Sequence, residues 1–450
     1  MNKYQVLGFI SSVLIVLGLI CALFPEEGIA IAKTEINFPT LAELFEAQAD
    51  TVENPADVIA RREKAAHAEK IEEFENYFET DPARFYFPRG DIHFFDAFFE
   101  ALDGADTAAV NIVHYGDSQI EEDRISREIR RELQSRFGGG GPGLIPACTY
   151  HSLTVSERST REGTRYFAYG AKELRAGIRQ YGPMASFTRV DSVLRYNIYI
   201  DPRDKSSAGC SGVQVLTGNR TSAVTLSCKG VRRTLPVGKS LVISDWERAD
   251  STKQVIVNMS GSADVYGIRL YKHKGVNLDN IAMRGCSGTV FTSLDSTQLK
   301  QYFSETNTRL IILQYGGNSV PYAKTESAIQ DYKDNLSRQI RLIRRLAPQA
   351  LVIFIGPSDM STTIKGKRCT YPHLPAVVEA LKAAAVENGA AFWDMYSAMG
   401  GYNSMVKWVS SKPALAGSDH VHFTPKGAAY MGKMFSSSLM MYYDYYQLLK

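Results

Sequence analysis

Apolar positions along this chain fall into three textures. The first is a single run, Val6 to Phe24, interrupted by Ser11 and Ser12. Its length is close to the ~20 residues that a helix needs to cross a bilayer. The second texture is spacing at three and four residues, the mark of one helix face. It occurs at Ile71, Phe74 and Phe78, then at Phe94, Phe95, Phe98, Phe99 and Leu102. It returns at Ile125, Ile129, Leu133 and Phe137, and at Ile329, Leu336, Ile340 and Ile343. The third texture is the short unbroken run of a buried strand: Ala108–Val113, Leu310–Gln314, Leu351–Ile355 and Ala391–Trp393. Strand and helix textures alternate, which predicts a parallel sheet with helices on both faces.

Punctuation sets the helix ends. Pro55 opens a charged helix from Ala56 to Phe78, and Asp91 is placed to cap the phenylalanine-rich helix. A helix over Ala376–Glu387 stops at Asn388-Gly389, and the last helix starts near Pro425. The run Gly138-Gly139-Gly140-Gly141-Pro142-Gly143 contains a GxGxxG pattern. It follows a helix rather than a strand, so it reads as a helix stop and loop, not as a dinucleotide-binding turn.

The alternation is interrupted once, from about Thr149 to Lys274. Short β-rich runs replace it: Val193–Ile200, Val213–Leu216, Ala223–Cys228, Leu241–Trp246, Gln254–Met259 and Val265–Tyr271. Turns such as Thr217-Gly218-Asn219 and Ser260-Gly261-Ser262 separate them. This is the pattern of an antiparallel sandwich or jelly roll inserted into the sheet domain. The expected division is 1–25 as an anchor or signal and 26–84 as linker and helix. Residues 85–150 and 275–450 form the two parts of the α/β domain, and 151–274 the insertion.

Composition alters this picture little. Fifty-one basic residues stand against 48 acidic ones, a net charge of +3, so charge gives no reason to expect nucleic acid as a partner. None of the six cysteines forms a CxxC pair, which argues against a zinc cluster. Cys210 and Cys228 fall in the same β-rich region, where a bridge and free thiols both stay open. Lys3 before the apolar run and Glu26-Glu27 after it orient the N-terminus to the cytoplasm and the body outside. The run is longer than the apolar part of a typical cleaved signal, so an uncleaved inner-membrane anchor is the expectation, with a cleaved signal as the alternative.

Chemistry gathers where such a sheet places it, at the carboxyl ends of its strands. Four blocks end there: Gly116-Asp117-Ser118-Gln119, Arg284-Gly285-Cys286-Ser287-Gly288-Thr289, Gly316-Gly317-Asn318, and Asp419-His420-Val421-His422. A serine hydroxyl needs an imidazole to take its proton, and the imidazole needs a carboxylate to fix its tautomer. Ser118, His422 and Asp419 supply all three. Oxyanion donors are expected from the Ser118 N–H, the Gly288 N–H and the Asn318 side-chain amide, with Gly285 competing for the glycine role. Asp117 reads as a turn-fixing residue. His114 and His420 read as supporting or surface residues, and Asp394 has no assigned chemistry. The mechanism calls for no cofactor, and a metal set from Asp117, Asp419, His420 and His422 is the weaker reading.

In order and spacing, these blocks resemble the SGNH or GDSL hydrolase superfamily. The resemblance covers about 85–150 and 275–447. It implies a three-layer, flavodoxin-like sheet and an acyl-enzyme esterase. Within the superfamily, the inserted sandwich and the anchor resemble peptidoglycan O-acetylesterases, which implies an acetylated envelope glycan as substrate and a periplasmic body. An O-acetyltransferase on the same fold and a non-catalytic glycan-binding scaffold are the alternatives. Two departures stand out: Gln119 where the name motif has Leu, and Gly-Gly-Asn-Ser where Gly-Thr-Asn-Asp or Gly-Thr-Asn-Glu is more usual. Tyr199 and Trp246 in the insertion are candidates to stack on sugar rings, although aromatics of this kind more often fill a core.

Overall fold

The computed structural model describes residues 3–25, 29–31, 34–36, 38–40, 55–204, 209–247 and 253–450. It comprises two units, Met1–Lys70 and Ile71–Lys450. In the first, the helix Lys3–Leu23 is long and apolar enough to cross a membrane. Strands Ile29–Ile31 and Thr34–Ile36 pair antiparallel. Within the expected linker, residues 26–28, 32–33, 37 and 41–54, Glu26 and Glu27 included, lie outside the described residues.

The second unit is built on a six-stranded sheet. Its order is Gly275–Ala282, Ala109–Gly116, Thr308–Gln314, Leu351–Ile355, Ala391–Trp393 and Phe85–Tyr86. The first five strands run parallel, and the last pairs antiparallel at the edge. Taking those five in chain order, with Ala109–Gly116 first, the order is 2-1-3-4-5, the flavodoxin-like arrangement. Its ligand site is expected where strands one and three diverge. Side chains alternate between two cores. Val113, Tyr115, Ile311, Leu313 and Phe354 face one layer of helices, Ser296–Glu305, Glu326–Leu346 and Leu374–Glu387. Val110, Ile112, Ile312, Ile353 and Trp393 face the other, Asp96–Asp103, Ser126–Phe137 and Pro425–Leu449. This is the three-layer, flavodoxin-like parallel sheet that the resemblance implies.

The helix Pro55–Thr80 carries Phe78, whose ring stacks 4.1 Å from Tyr442 of the last helix. The expected cap at Asp91 does not form. The phenylalanine-rich helix starts later, at Asp96, and Asp91 instead accepts from His93 N in a preceding turn. The glycine run ends its helix as expected and lies against the sheet. Gly139 has φ +116°, and a Cβ there would sit 2.1 Å from Val276 O, a backbone approach open to glycine alone.

The interrupting segment forms two antiparallel sheets. One has the order Val231–Leu235, Val224–Cys228, Gln254–Ser260, Leu194–Ile200, Val155–Ser159, Tyr150–His151. The other has the order Val242–Glu247, Gly212–Gly218, Ala263–Tyr271, Ser186–Val190, Thr164–Phe167, with Gly143–Ile145 also on Ala263–Tyr271. Val213, Val215, Leu226, Val257 and Ile268 fill the space between them. Trp246 belongs to this core and donates to Val231 O, whereas Tyr199 is exposed.

A buried charge joins this sandwich to the parallel sheet. Asp279, on the Gly275–Ala282 strand, accepts from Arg269 Nε at 3.0 and 2.9 Å, from Leu144 N at 2.9 Å and from Tyr302 Oη. Arg269 also donates to Asn111 Oδ1 at 2.6 Å. Neither charged side chain reaches solvent. Removing one partner strands the other charge, so Asp279→Ala should cost roughly 3–5 kcal/mol of stability. A fall in unfolding temperature checks this; Asp279→Ala melting with the wild type would refute it.

Candidate active site

The Ala109–Gly116 strand delivers the first block to the sheet edge. Gly116 is squeezed there: a Cβ would meet Ile120 at 2.8 Å and Gln314 O at 3.2 Å. Asp117 N donates to Gln314 O, and Asp117 Oδ1 accepts from Gln119 N at 2.9 Å, which turns the chain. Ser118 opens the short 3-10 segment Ser118–Asp123, and its carbonyl is held by Arg124 Nη2 at 2.6 Å. Its hydroxyl therefore leaves the sheet on a fixed turn.

The last block closes on it from the other end of the chain. Asp419 Oδ1 accepts from Val421 N at 3.0 Å and His422 N at 3.1 Å. Asp419 Oδ2 meets His422 Nδ1 at 2.7 Å, and His422 Nε2 meets Ser118 Oγ at 2.8 Å. The carboxylate, imidazole and hydroxyl thus form one continuous chain. Partial burial pulls the Asp419 pKa up, but the hydrogen bonds from His422 and Val421 outweigh it and hold the carboxyl below its usual range. The acid is ionised wherever the imidazole is required as a base.

A cavity of about 310 Å³ opens over these groups. Asp117, Ser118, Gly285, Asn318, Met360 and His422 are among its lining residues. Asn318 Nδ2 donates to Cys286 O at 3.0 Å and, more weakly, to Asp117 Oδ2 at 3.3 Å. These contacts point the amide nitrogen, not its oxygen, at the region beside Ser118. Burial pushes the Asp117 carboxyl up to about 6, against the opposing effects of Gln119 N–H and His422.

The structure places the two candidate glycines differently. Gly288 is not among the residues lining the cavity; Gly285 is. Gly288 has φ +78°, and its Cα faces the Tyr315 ring, where a Cβ would approach to 2.7 Å. Its N–H is directed at the Cys286 thiol instead. The Ser-Gly-Thr context that favours Gly288 in sequence marks a tight turn packed on Tyr315.

Other sequence assignments resolve simply. His114 is fully buried below the site, between Gln314 Oε1 and Ser126 Oγ, and burial drives its pKa down to about 3, so it is neutral. Asp394 caps the Met395–Ala398 turn through Ser397 N. Among the described residues, no three His, Cys, Asp or Glu side chains are grouped to hold a metal.

The residue that sequence reasoning undervalued is Gln119. Its Nε2 donates to Val421 O at 2.7 Å, and its Oε1 accepts from Phe423 N at 3.4 Å. It thereby grips the backbone on both sides of His422. The signal was its departure from the motif's Leu, since an apolar side chain makes neither bond. Gln119→Leu should lower kcat about tenfold through misplacement of the imidazole while KM moves less than about twofold. Steady-state kinetics on a small acyl ester checks this, and an unchanged kcat would remove the positioning role.

A serine at the switch point of a parallel sheet, bonded to an imidazole and carboxylate from one loop, is the arrangement that serine hydrolases use. The comparisons sharpen the class. Residues 257–430 match the GDSL-like lipase/acylhydrolase family. That segment includes blocks two to four, and Ser118 joins it through strand pairing and the contact with His422. The resemblance read from the blocks thus holds for the fold and for the matched segment, residues 257–430. A solved peptidoglycan O-acetylesterase superposes with a TM-score of 0.66 at 19% identity, over 81% of this chain and 99% of its own. A structural-genomics protein of Bacillus subtilis reaches 0.31 at 13% identity, over 62% and 88%. A family two carbohydrate esterase from Cellvibrio japonicus reaches 0.26 at 9% identity, over 66% and 99%. No curated protein matches the sequence.

Proposed function

We propose that this chain is a serine esterase that removes O-acetyl groups from a cell-envelope glycan, peptidoglycan. The observation that carries the reading is the Ser118–His422–Asp419 chain, at 2.8 and 2.7 Å, on the wall of a cavity. The cavity volume, about 310 Å³, lies at the lower end for small-molecule sites and suits a short acyl group. The solved peptidoglycan O-acetylesterase that superposes on most of the chain supports the substrate class. The apolar helix Lys3–Leu23 supports an envelope location, with 1–25 as anchor and the body in the periplasm. In this reading 85–150 and 275–450 are the catalytic domain, and 151–274 is an inserted sandwich that presents the polymer.

Ser118 Oγ attacks the acetyl carbonyl as His422 Nε2 takes its proton. The oxyanion is held by Ser118 N, Gly285 N and Asn318 Nδ2, the last exchanging its long bond to Asp117 for the new charge. Collapse expels the sugar hydroxyl, protonated by His422. Water, activated by the same imidazole, then frees acetate. No cofactor enters.

The test is acetate release from a small acetyl ester and from O-acetylated peptidoglycan, with wild type and Ser118→Ala. Equal rates for the two proteins would end the nucleophile assignment. Activity on the small ester alone would remove the peptidoglycan assignment and leave the mechanism.

A further inference from the structure

Away from the catalytic edge, four guanidinium groups surround one concavity. A cavity of about 390 Å³ is lined by Arg179, Thr292, Ser296, Arg338, Arg341, Arg345 and the buried Leu342. Three of the arginines come from the second half of the Glu326–Leu346 helix, at spacings that place them on one exposed face. Arg179 arrives from the loop before the Ser186–Val190 strand. Among the described residues, no carboxylate lines the cavity. The adjacent Asp295 is engaged elsewhere: it accepts from Thr297 N, Gln298 N and Gln180 Nε2.

Two of the arginines are held in advance. Arg179 Nη2 donates to Thr292 O at 2.9 Å and Leu294 O at 3.1 Å, and Arg341 Nη1 donates to Asn388 Oδ1 at 2.7 Å. Among the described residues, Arg338 and Arg345 have no hydrogen-bond or ion-pair partner, so their forks remain available. Like charges repel, and gathering four around one hollow without a counter-charge favours an anion that enters it. The planar, bidentate donors of arginine match phosphate oxygens, and several forks at one place match a group carrying more than one charge. A lone carboxylate occupies one fork and leaves the others unpaired. Thr292 and Ser296 add hydroxyl donors at the floor.

We propose that this cavity is a binding site for a soluble phosphorylated ligand, held by Arg338 and Arg345 with Arg179 and Arg341 as fixed flanking cations. A membrane surface is the less fitting occupant, because none of the lining residues is an exposed large apolar side chain that would enter lipid. The site is independent of the esterase reading and lies on different residues.

Titration calorimetry of the full chain in neutral detergent, with inorganic pyrophosphate as the probe, tests the site. Binding is expected at low salt, weakening as salt screens the charges. Arg338→Ala and Arg345→Ala should each weaken it at least about tenfold, and Arg338→Lys less. Tricarballylate, a carboxylate of comparable charge, should bind at least about tenfold more weakly. Unfolding temperatures equal to wild type show that the variants are folded. Absence of pyrophosphate binding, unchanged affinity in both alanine variants, or equal affinity for tricarballylate would overturn the proposal. So would arginine-dependent binding to phosphatidylglycerol vesicles without pyrophosphate binding.

Discussion

Ser118→Ala is expected to remove essentially all acyl-ester hydrolysis, a fall of roughly 10⁶ in kcat by comparison with other serine hydrolases. The size follows from what the hydroxyl does. In the proposed mechanism Ser118 Oγ is the single atom that bonds to the acyl carbon, and the proton taken by His422 Nε2, 2.8 Å away, is its own. Without the hydroxyl, the donors at Gly285 and Asn318 still polarise a bound ester, so a residual rate of about 10³ over water is expected. His422→Ala should fall almost as far. Ser118→Ala/His422→Ala should be no worse than either alone, because the two residues act as one unit. Substrate binding should survive in all three. A Ser118→Ala enzyme within tenfold of wild type, measured as acetate release under single-turnover conditions, would show that the nucleophile lies elsewhere. Additive losses in the double variant would instead separate the two residues.

Much of this site is legible in the sequence because its local parts carry local signals. An apolar run ending in Gly-Asp-Ser specifies a strand, a tight turn and a presented hydroxyl. Asp419 and His422 are three residues apart, so one loop closes the carboxylate–imidazole bond whatever the rest of the chain does. What sequence reading missed depends on long-range packing. The Gly275–Ala282 strand is central to the site, since it pairs with the nucleophile strand, yet it carries Asn277, Asp279 and Asn280. Those polar residues hide it from any search for apolar runs. They are tolerated because Arg269, Asn111 and Lys272 reach it from elsewhere in the fold. The surroundings of the two glycines of the second block are hidden for a related reason. Gly285 and Gly288 both adopt positive φ and look alike in sequence. Only the Tyr315 ring, contributed by another strand, decides that Gly288 turns away from the cavity. Gln119 was visible as a departure from the family's motif, but its partners, Val421 and Phe423, lie some three hundred residues away.

Asp419→Asn should lower kcat by about 10³, somewhat less than the ~10⁴ seen when a buried triad aspartate is changed in the same way. The direction comes from the loop's own hydrogen bonds. Asp419 Oδ1 is fixed by Val421 N and His422 N, both donors. An asparagine must present its own oxygen to those two N–H groups, which directs its amide nitrogen at His422 Nδ1. A donor there forces the imidazole proton onto Nε2, the atom that must accept from Ser118. The loop keeps its shape while the base is held in the wrong tautomer. The magnitude is moderated because the Asp419 side chain is about half exposed, at 52%, so water also stabilises the imidazolium. The loss should therefore appear in kcat, with KM for a small acyl ester within about threefold of wild type. Asp419→Ala frees Nδ1 to either tautomer with water as its partner, and should retain more activity than Asp419→Asn. That ordering separates a tautomer-setting carboxylate from one that merely shapes the loop, for which the alanine variant would be the worse of the two. Kinetics of both variants decides between these outcomes, and an Asp419→Asn enzyme within tenfold of wild type would remove Asp419 from the chain of proton transfer.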